Sequence, residues 1–567
     1  MRSTKIRIGC GLLATLLACH LLSHAAAAER PRLAVIVSVD QLCYEYLERF
    51  QAGFSDGGFF RLAARDGATF TEAHHRHAYT VTAPGHAVLM SGAYPDVNGI
   101  VGNDWYDRSQ KKVVYCVEDA AYGIVGAPAG MTELKGVSPR NFKAETVGDV
   151  LKRETQGRAK VFGATLKDRA AVLMTGARAD GAYWFDPNSG NWVTSRYYRE
   201  SLPAYIAQIN AQRPADSLAG KTWELLYSPD HYRLHYPDAN PYEGDYEKIG
   251  VAFPHVLEST DMVRVRKQVA CSRFGNEVTL ELVEQILIHE QLGQDDDPDV
   301  FAVGFSSNDF VGHNFGPHSL EVQDVTYRTD LLLKKLVDLL NKHVGEGRWV
   351  LALSADHAVS PIPEYAATIG LPAKRNPLGD VAKLREALEA RLVAKFGPKS
   401  KDDPYIERVD VHQMFLRAGD DGQLLAAVQQ EAKAFMLEQP GIAMAVTRAE
   451  LDAASPPVID VPADCQPLIP KGSDPLAQFR LAYHPRLAGD VFYAIRPYSI
   501  QGSTKATHGT PWSYDSHVPV LFLGAGIAPG KYAVPTSPAA IAPTLAKILG
   551  IPAPGQCVER PLSEALR

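Results

Sequence analysis

Polar residues that can bind a metal ion stand directly after several apolar runs of this 567-residue chain. Asp40 follows the first run, Asp309 and His313 follow a later one, and Asp356 and His357 follow a third. Mixed carboxylate and imidazole ligands suit Zn²⁺, whereas Ca²⁺ and Mg²⁺ prefer oxygen ligands alone. The residue types and their positions therefore predict a metal site.

A further histidine, His508, stands in the loop sequence Thr-His-Gly-Thr, whose glycine lets the backbone approach a ligand closely. Each candidate has an ordinary alternative when it is taken alone. An aspartate after a strand commonly caps a helix, and a loop histidine is commonly exposed. Together, three aspartates and three histidines after strands or in loops favour metal binding over these alternatives.

A threonine that could act as a nucleophile lies in the segment TVTAPGH, residues 80–86. Pro84 suits the first turn of a helix, so Thr82 is predicted to lie just before the helix N-terminus. The backbone N–H groups and the helix dipole favour a bound anion there. The ordinary alternative is a threonine that only caps the helix, and the spacing alone does not choose between Thr80 and Thr82.

Two basic residues, Lys167 and Arg169, follow another apolar run. A phosphate monoester dianion has three non-bridging oxygens with charge to balance, whereas a diester carries one negative charge. Two cations suit the dianion, because charge-assisted hydrogen bonds to phosphoryl oxygens are strong. The alternative is a basic pair on the surface after a strand.

The elements that must position these side chains are short, continuously apolar runs. Such runs are typical of strands buried on both faces of a parallel sheet. They are residues 33–39, 161–164, 300–305, 349–354 and 518–523. Amphipathic patterns at 279–292 and 323–344 predict helices between them, and a last helix is bracketed by Ser537 and Gly550. Alternating strands and helices indicate an α/β domain, in which ligands bind at the carboxyl ends of strands.

Two stretches interrupt this rhythm and are interpreted as α+β insertions in a single domain, near 180–290 and 360–490. In the first, Asp-Pro-Asn-Ser-Gly at 186–190 between aromatic segments predicts a hairpin. The second contains amphipathic patterns near 379–396 and 423–437 that predict helices.

Hydrophobic residues make up 46% and charged residues 22% of the chain, which excludes a disordered protein. The net charge of −7 gives no sign of a nucleic-acid-binding surface.

The N-terminal 28 residues have the pattern of a cleaved signal peptide: basic residues, an apolar stretch at 8–22, and alanines at 25–28. The apolar stretch is too short for a membrane span, so we expect a periplasmic or secreted protein that comprises residues 29–567. Lipid anchoring through Cys19 is the alternative.

The five cysteines of residues 29–567 contain no Cys-x-x-Cys pair, which argues against a thiolate zinc site. They are Cys43, Cys116, Cys271, Cys465 and Cys557. They allow at most two disulfides, and the sequence does not determine their pairing.

The chain order Asp, Thr, Asn, Lys-x-Arg, Asp-x-x-x-His, Asp-His and His resembles the alkaline phosphatase superfamily, on the branch shared with nucleotide pyrophosphatase/phosphodiesterases. Within it, the chain is most similar to threonine-dependent bacterial alkaline phosphatases of the PafA type. The resemblance extends from the first strand to the C-terminal helix. It implies a three-layer αβα sandwich with a mostly parallel central sheet.

The resemblance also implies two zinc ions, each held by three side chains: Asp309, His313 and His508 for one, and Asp40, Asp356 and His357 for the other. The oxygen of Thr82 would complete the second site, and coordination would lower the pKa of its hydroxyl. Asn103, Lys167 and Arg169 would contact the phosphoryl oxygens. His508 is preferred to His517 because it lies in the Thr-His-Gly turn before the last strand.

We therefore expect an exported, zinc-dependent alkaline phosphatase that hydrolyses small phosphate monoesters through a phosphothreonine on Thr82. A phosphodiesterase or nucleotide pyrophosphatase of the same superfamily is the first alternative. A non-catalytic phosphate-binding protein that retains the fold is an alternative of another class. A sulfatase is disfavoured, because Thr82 cannot be converted to formylglycine as a cysteine or serine can. The oligomeric state and the physiological ester are not predicted.

Overall fold

The computed structural model describes residues 30–567 except 134, 401–402 and 454–457. The predicted signal peptide, residues 1–28 with Cys19, lies outside the described residues. Across the part of the chain that is described, no helix is both long and apolar enough to cross a membrane.

Ten strands of the described chain form one mixed central sheet, and its five middle strands run parallel. In spatial order the five are Gly181–Asp186, Val161–Thr165, Asp299–Phe305, Leu33–Val39 and Trp349–Ser354. Five shorter strands extend the two edges, mostly through antiparallel pairing. They are Val520–Gly524, Ala68–Phe70 and Gly530–Tyr532 beyond Trp349–Ser354, and Asn191–Ser195 and Ile124–Val125 beyond Gly181–Asp186. The predicted α/β fold with a mostly parallel core is confirmed.

The continuous apolar runs form strands because both faces of the sheet are covered. Every residue of Leu33–Val39 is buried, and alternate side chains of this strand join two different hydrophobic clusters on opposite faces. The five predicted strands are present, although the third begins one residue earlier than predicted, at Asp299, and the last begins two residues later. The last was predicted from residue 518 but begins at Val520, because Pro519 has no N–H to donate to a neighbouring strand.

Helices cover both faces and give the three layers. On one face the long helices are Arg273–His289 and Leu320–His343, with Tyr44–Arg49 and Phe59–Asp66. On the other face are Thr82–Ser91, Val147–Glu154, Asp168–Thr175 and Ile541–Leu549. The helix predicted at 279–292 begins six residues earlier, since Phe274 and Val278 continue its buried stripe. Ser537 caps a short 3₁₀ turn ahead of the last helix, and Gly550 ends that helix in the left-handed conformation.

The first predicted insertion is narrower than the range 180–290. The hairpin predicted around residues 186–190 is present, but its strands belong to the central sheet, and Arg273–His289 is a covering helix. Residues 196–272 lie between these core elements. They contain the helices Ala204–Gln212 and Met262–Ala270 and a small strand pair, Thr222–Trp223 with His255–Val256.

The second predicted insertion contains a separate four-stranded sheet packed with the two predicted helices. In spatial order its strands are Ile406–Val409, Gln413–Leu416, Val491–Ile495 and Ile442–Thr447. The helices are Val381–Phe396 and Gly422–Leu437, and their side chains share a hydrophobic cluster with this sheet. The remaining α-helices and strands of the described chain are short: Pro95–Asn98, Asp104–Asp107, Lys112–Tyr115, Ser307–Phe315, Pro363–Thr368, Arg448–Asp452, Pro475–Ala482 and Ser513–Ser516.

The five cysteines of the described chain are all free thiols. Four of them are buried, and Cys557 is partly exposed. Burial raises the pKa of the Cys43 thiol to about 12, so this side chain behaves as a small apolar group at neutral pH.

The central strand Trp349–Ser354 offers a test of the core. Leu351 is fully buried and pairs with Val35 on one side and Leu523 on the other. We expect Leu351→Ala to lower the free energy of unfolding by about 2–5 kcal/mol, because the substitution leaves a cavity in a well-packed layer. Urea denaturation measures this change. The control Val558→Ala, at a side chain that is 59% exposed, should stay within about 0.5 kcal/mol of the parent. Equal effects of the two substitutions would contradict this account of the core.

Candidate metal and phosphate site

Three aspartates meet at one edge of the sheet because three neighbouring parallel strands end level with one another. Val39 pairs with Phe305 across one side of the first strand, and Ser38 pairs with Ser354 across the other. Asp40 and Asp356 follow two of these strands within two residues, and Asp309 lies in the first turn of the helix after the third. The carboxyl ends of the strands therefore bring the three carboxylates together, as the sequence predicted.

The first cluster contains Asp309, His313 and His508. His313 Nε2 lies 3.2 Å and His508 Nε2 lies 3.8 Å from Asp309 Oδ1. In each histidine, Nδ1 is hydrogen-bonded to a backbone carbonyl, of Ala506 at 2.7 Å and of Thr80 at 2.7 Å respectively. These bonds fix the ring orientation, so that both Nε2 atoms face the carboxylate, as a metal-binding histidine requires.

The second cluster contains Asp40, Asp356 and His357. His357 Nε2 lies 3.1 Å from Asp356 Oδ2 and 3.7 Å from Asp40 Oδ1, while its Nδ1 lies 3.0 Å from the carbonyl oxygen of Ala358. The rings of His357 and His508 stack with their centroids 3.3 Å apart. The two clusters are therefore adjoining halves of one site.

Lys167 lies between the clusters. Its Nζ is 2.5 Å from Asp40 Oδ2 and 2.5 Å from Asp309 Oδ2, and its side chain is buried. Burial disfavours the charged ammonium, but attraction by Asp309 and Asp40 outweighs this effect and raises the pKa of Lys167. The lysine is charged at neutral pH and offsets part of the carboxylate charge.

The carboxylates differ in how well their charge is balanced. Burial opposes ionisation of Asp309 and Asp356, but attraction by His313 and by His357 respectively holds the pKa of each well below its usual range. Burial and repulsion by Asp356 raise the pKa of Asp40 well above its usual range, and Lys167 offsets this only in part. Asp356 in turn raises the pKa of His357 to about 9, against the effect of burial.

The donor set fits divalent cations. Among the residues that the structure describes, three groups of carboxylate oxygens and imidazole nitrogens lie within 4.8 Å of one another: Asp309 with His313 and His508, Asp40 with Asp309 and His357, and Asp40 with His86 and Asp356. Asp40 Oδ1 is buried and accepts no hydrogen bond from the residues described, and His357 Nε2 stands 3.7 Å from it. Buried anionic oxygens without hydrogen-bond donors are costly, and metal coordination removes that cost.

The helix Thr82–Ser91 brings Thr82 to this site. It begins at Thr82 itself, with Val81 as the N-cap, so the expectation that Thr82 precedes the helix is off by one residue. The cause is that the N–H of Gly85 donates to the carbonyl of Val81 and closes the first helical turn. Thr82 Oγ1 lies 3.4 Å from His357 Nε2. Thr80 Oγ1 instead donates to the carbonyl of Thr510 at 3.1 Å, so Thr82 is the threonine that the structure brings to the clusters.

The side chain of Asn103 caps the N-terminal turn of the same helix. Its Oδ1 accepts the N–H of Ala83 at 2.8 Å, which leaves its amide NH₂ to donate to a ligand. Because that N–H is taken and Pro84 has none, the helix N-terminus offers fewer free donors to an anion than the sequence suggested.

Arg169 lies in the first turn of the helix Asp168–Thr175, two residues beyond Lys167. Its Nη1 is 3.4 Å from the hydroxyl of Tyr115, and that hydroxyl donates to Asp168 at 2.7 Å. Among the residues described, Arg169 makes no ion pair with either cluster, and its buried Nε has no hydrogen-bond partner. The guanidinium is therefore held beside the site by Tyr115, and its Nε–H is available to donate to a ligand.

Two residues at the site were missed by the sequence analysis. Gln41 has positive φ (64°), donates from Nε2 to Asp309 at 2.6 Å, and donates from its backbone N–H to Asp356 at 3.1 Å. His86 Nδ1 bonds the carbonyl of Thr82 at 2.8 Å and lies 3.4 Å from Asp356. Their positions carried weak signals: Gln41 directly follows Asp40, and His86 is four residues after Thr82 on the same helix.

Residues 34–433 match the sequence profile of the type I phosphodiesterase / nucleotide pyrophosphatase family. The chain belongs to this family. It is 31% identical over 540 residues to alkaline phosphatase PhoV of Synechococcus elongatus, which covers 95% of this chain and 93% of PhoV. It is 32% identical over 548 residues to alkaline phosphatase PafA of Elizabethkingia meningoseptica, which covers 95% of each chain.

The crystal structure of wild-type PafA matches this fold with a TM-score of 0.82 at 29% identity, and covers 95% of this chain and all of PafA. A second PafA structure, equally similar in fold, carries four substitutions: threonine to serine, and asparagine, lysine and arginine each to alanine. The predicted membership of the alkaline phosphatase group of enzymes is confirmed.

The close approach of the helix Thr82–Ser91 to the loop that carries Asp356 can be tested at Gly85. A Cβ at this position would lie 2.1 Å from the backbone oxygen of Asp356 and 2.7 Å from its Cα. Gly85→Ala must therefore push Thr82 and Asp356 apart, and we expect activity on an aryl phosphate to fall by about 100-fold, the usual effect of a displacement near 1 Å.

Gly422→Ala is the matched control, because nothing lies within 4 Å of a Cβ there and alanine suits the start of its helix. Initial rates and thermal midpoints of both variants give the result. Wild-type activity in a folded Gly85→Ala protein would contradict the described contact.

Proposed function

We propose that the protein is an exported, zinc-dependent alkaline phosphatase that hydrolyses phosphate monoesters through a phosphothreonine on Thr82. One arrangement carries this proposal: two adjoining carboxylate–imidazole clusters flank Lys167, and the Thr82 hydroxyl lies 3.4 Å from His357. A nucleophile, buried charge and phosphoryl-binding cations thus lie within one site.

Two metal ions would be held by the side chains of the two clusters: Asp309, His313 and His508 in one, and Asp40, Asp356 and His357 in the other. Zinc is the metal proposed, because the donors combine imidazole nitrogen with carboxylate oxygen. When bound, such ions supply positive charge that stabilises the attacking and leaving oxygens and lowers the pKa of a coordinated hydroxyl.

Thr82 would then carry the transferred group. Its Oγ gives up its proton to solvent and forms a bond to phosphorus while the ester O–P bond breaks, and the departing alkoxide takes up a proton from solvent. Water then gives up a proton and attacks the phosphothreonine, the Oγ–P bond breaks, and Oγ takes up a proton to regenerate the threonine hydroxyl as inorganic phosphate is released. The His86–Thr82 backbone bond and the Asn103–Ala83 bond keep the nucleophile in place during both steps.

The phosphoryl oxygens would be bound by Asn103, Lys167 and Arg169. Each offers N–H donors, and the two cations balance the double negative charge of a monoester. To reach the substrate, Lys167 must exchange part of its contact with Asp40 and Asp309 for the phosphoryl group, as those carboxylates bind metal.

The substitutions in the PafA variant support this assignment. Its substituted threonine and asparagine are 21 residues apart, and its lysine and arginine are two apart. In this chain Thr82 and Asn103 are also 21 residues apart, and Lys167 and Arg169 are two apart. The same spacing measured from Thr80 would not reach Asn103.

The family name favours one alternative, hydrolysis of phosphodiesters or nucleotide pyrophosphates by the same site. A diester has a single negative charge, so its hydrolysis should depend much less on Lys167 and Arg169. Rates on a monoester and on a diester, measured for the wild-type enzyme and for the Lys167→Ala/Arg169→Ala variant, therefore separate the two functions.

Export is a proposal that rests on the sequence of residues 1–28, and N-terminal sequencing of the protein recovered from its host tests it.

Thr82 can be tested as the site of the covalent intermediate. Rapid acid quenching with a phosphate monoester, followed by peptide fragmentation, should locate phosphate on Thr82 of the wild-type protein. Thr82→Ala should lose phosphorylation and at least about 1,000-fold in kcat, since no other hydroxyl replaces the nucleophile. Thr80→Ser, which keeps a hydroxyl, is the control and should still be phosphorylated at Thr82. Phosphate found on residue 80 would overturn the assignment.

Substrate charge can be tested with p-nitrophenyl phosphate and the corresponding methyl diester. We expect Lys167→Ala/Arg169→Ala to lower kcat/KM for the monoester by about 1,000-fold or more, because two charge-assisted contacts are removed in the transition state. The diester rate should change much less, and the wild-type enzyme should prefer the monoester. A preference for the diester that survives the double substitution would favour the phosphodiesterase alternative.

A further inference from the structure

A cavity of about 420 Å³ opens beside the proposed nucleophile. Val81, which directly precedes Thr82, lines one wall together with Asn103. The opposite wall is formed by the four-stranded sheet of residues 406–495 and its adjoining loops, including His412. The cavity therefore lies between the metal site and this second sheet, next to the residue proposed to attack phosphorus.

The charge of this cavity is opposite to that of the phosphoryl-binding groups. Asp104 and Asp410 line it, while no lysine or arginine belongs to its described lining. Arg408 donates from Nε to Asp410 at 2.6 Å, and no cation among the described residues forms an ion pair with Asp104. Burial lowers the pKa of His412 to about 4, so this histidine adds no positive charge to the cavity at neutral or alkaline pH.

The rest of the lining is largely apolar and well supported. Val101, Leu378 and Val381 supply aliphatic surface from three separate segments of the chain. Tyr79 stacks on the His412 ring at 5.0 Å between centroids, and its hydroxyl donates to the His412 carbonyl at 2.7 Å. The wall on the side of the second sheet is thus fixed to the segment that leads into Thr82.

We propose that this cavity receives the alcohol portion of the phosphate monoester and selects uncharged or cationic, largely apolar alcohols over anionic ones. This inference rests on the proposed function. Lys167 and Arg169 would hold the phosphoryl end, while Asp104 and Asp410 would face the other end. These two carboxylates would then repel a second negative group on the substrate, because like charges in a partly buried cavity disfavour binding.

Three esters with leaving groups of closely similar acidity test the proposal: the phosphates of tyramine, 4-ethylphenol and 4-hydroxyphenylacetate. They differ mainly in the charge of the tail, which is positive, neutral and negative. At alkaline pH we expect kcat/KM for the tyramine ester to exceed that for the hydroxyphenylacetate ester by about tenfold or more. The ratio should shrink at high salt, because ions screen charge in an open cavity.

Asp104→Asn/Asp410→Asn should bring this ratio toward one, since both substitutions keep the side-chain shape and remove the charge. Asp403→Asn, at a carboxylate that pairs with Lys399 outside the cavity, is the matched control and should leave the ratio unchanged. Equal rates on the three esters in the wild-type enzyme, or a ratio that the double substitution does not change, would overturn the assignment of the cavity. Failure to hydrolyse any of the three would overturn the proposed function as well.

Discussion

The confinement of three carboxylates in one buried space is the constraint on which this site depends. Asp40, Asp309 and Asp356 are placed there by strands that end in register, so their proximity is a consequence of the sheet itself. Burying like charges costs free energy unless cations balance them. The chain supplies Lys167 and protonatable histidines, and among the described residues Asp40 Oδ1 is still left without a hydrogen-bond donor. The fold therefore builds a candidate cation-binding site from the strand ends themselves.

Backbone carbonyl groups orient three histidine rings of this site. In His313, His357 and His508, Nδ1 lies within 3.0 Å of a main-chain carbonyl oxygen, which leaves Nε2 for the cluster. One of these carbonyls belongs to Thr80, two residues before the proposed nucleophile Thr82, so the segment that carries Thr82 also orients the ring of His508. The backbone of this segment therefore supports the clusters as well as carrying Thr82. Gly85, in the same helix as Thr82, also packs closely against the backbone of Asp356.

Much of this arrangement could be predicted from the sequence, because continuous apolar runs mark buried parallel strands and strand ends mark a ligand edge. The positions of Asp40, Asp309 and Asp356 followed from that rule alone. The sequence pattern could not show that Lys167 would lie between two carboxylates, or that Gln41 and His86 would support them. Those contacts join residues that are distant along the chain or placed by one unusual backbone angle, and no periodic pattern records them. The hairpin after residue 180 was predicted, but its membership of the central sheet depends on long-range pairing that local signals do not specify.

The central claim is that the two clusters hold two metal ions side by side. Anomalous diffraction at the zinc absorption edge, from crystals of the zinc-loaded protein, tests this claim most directly. The account predicts two peaks: one bounded by Asp309, His313 and His508, and one bounded by Asp40, Asp356 and His357. A single peak shared by Asp40, Asp309 and His357, or no peak in this space, would contradict it.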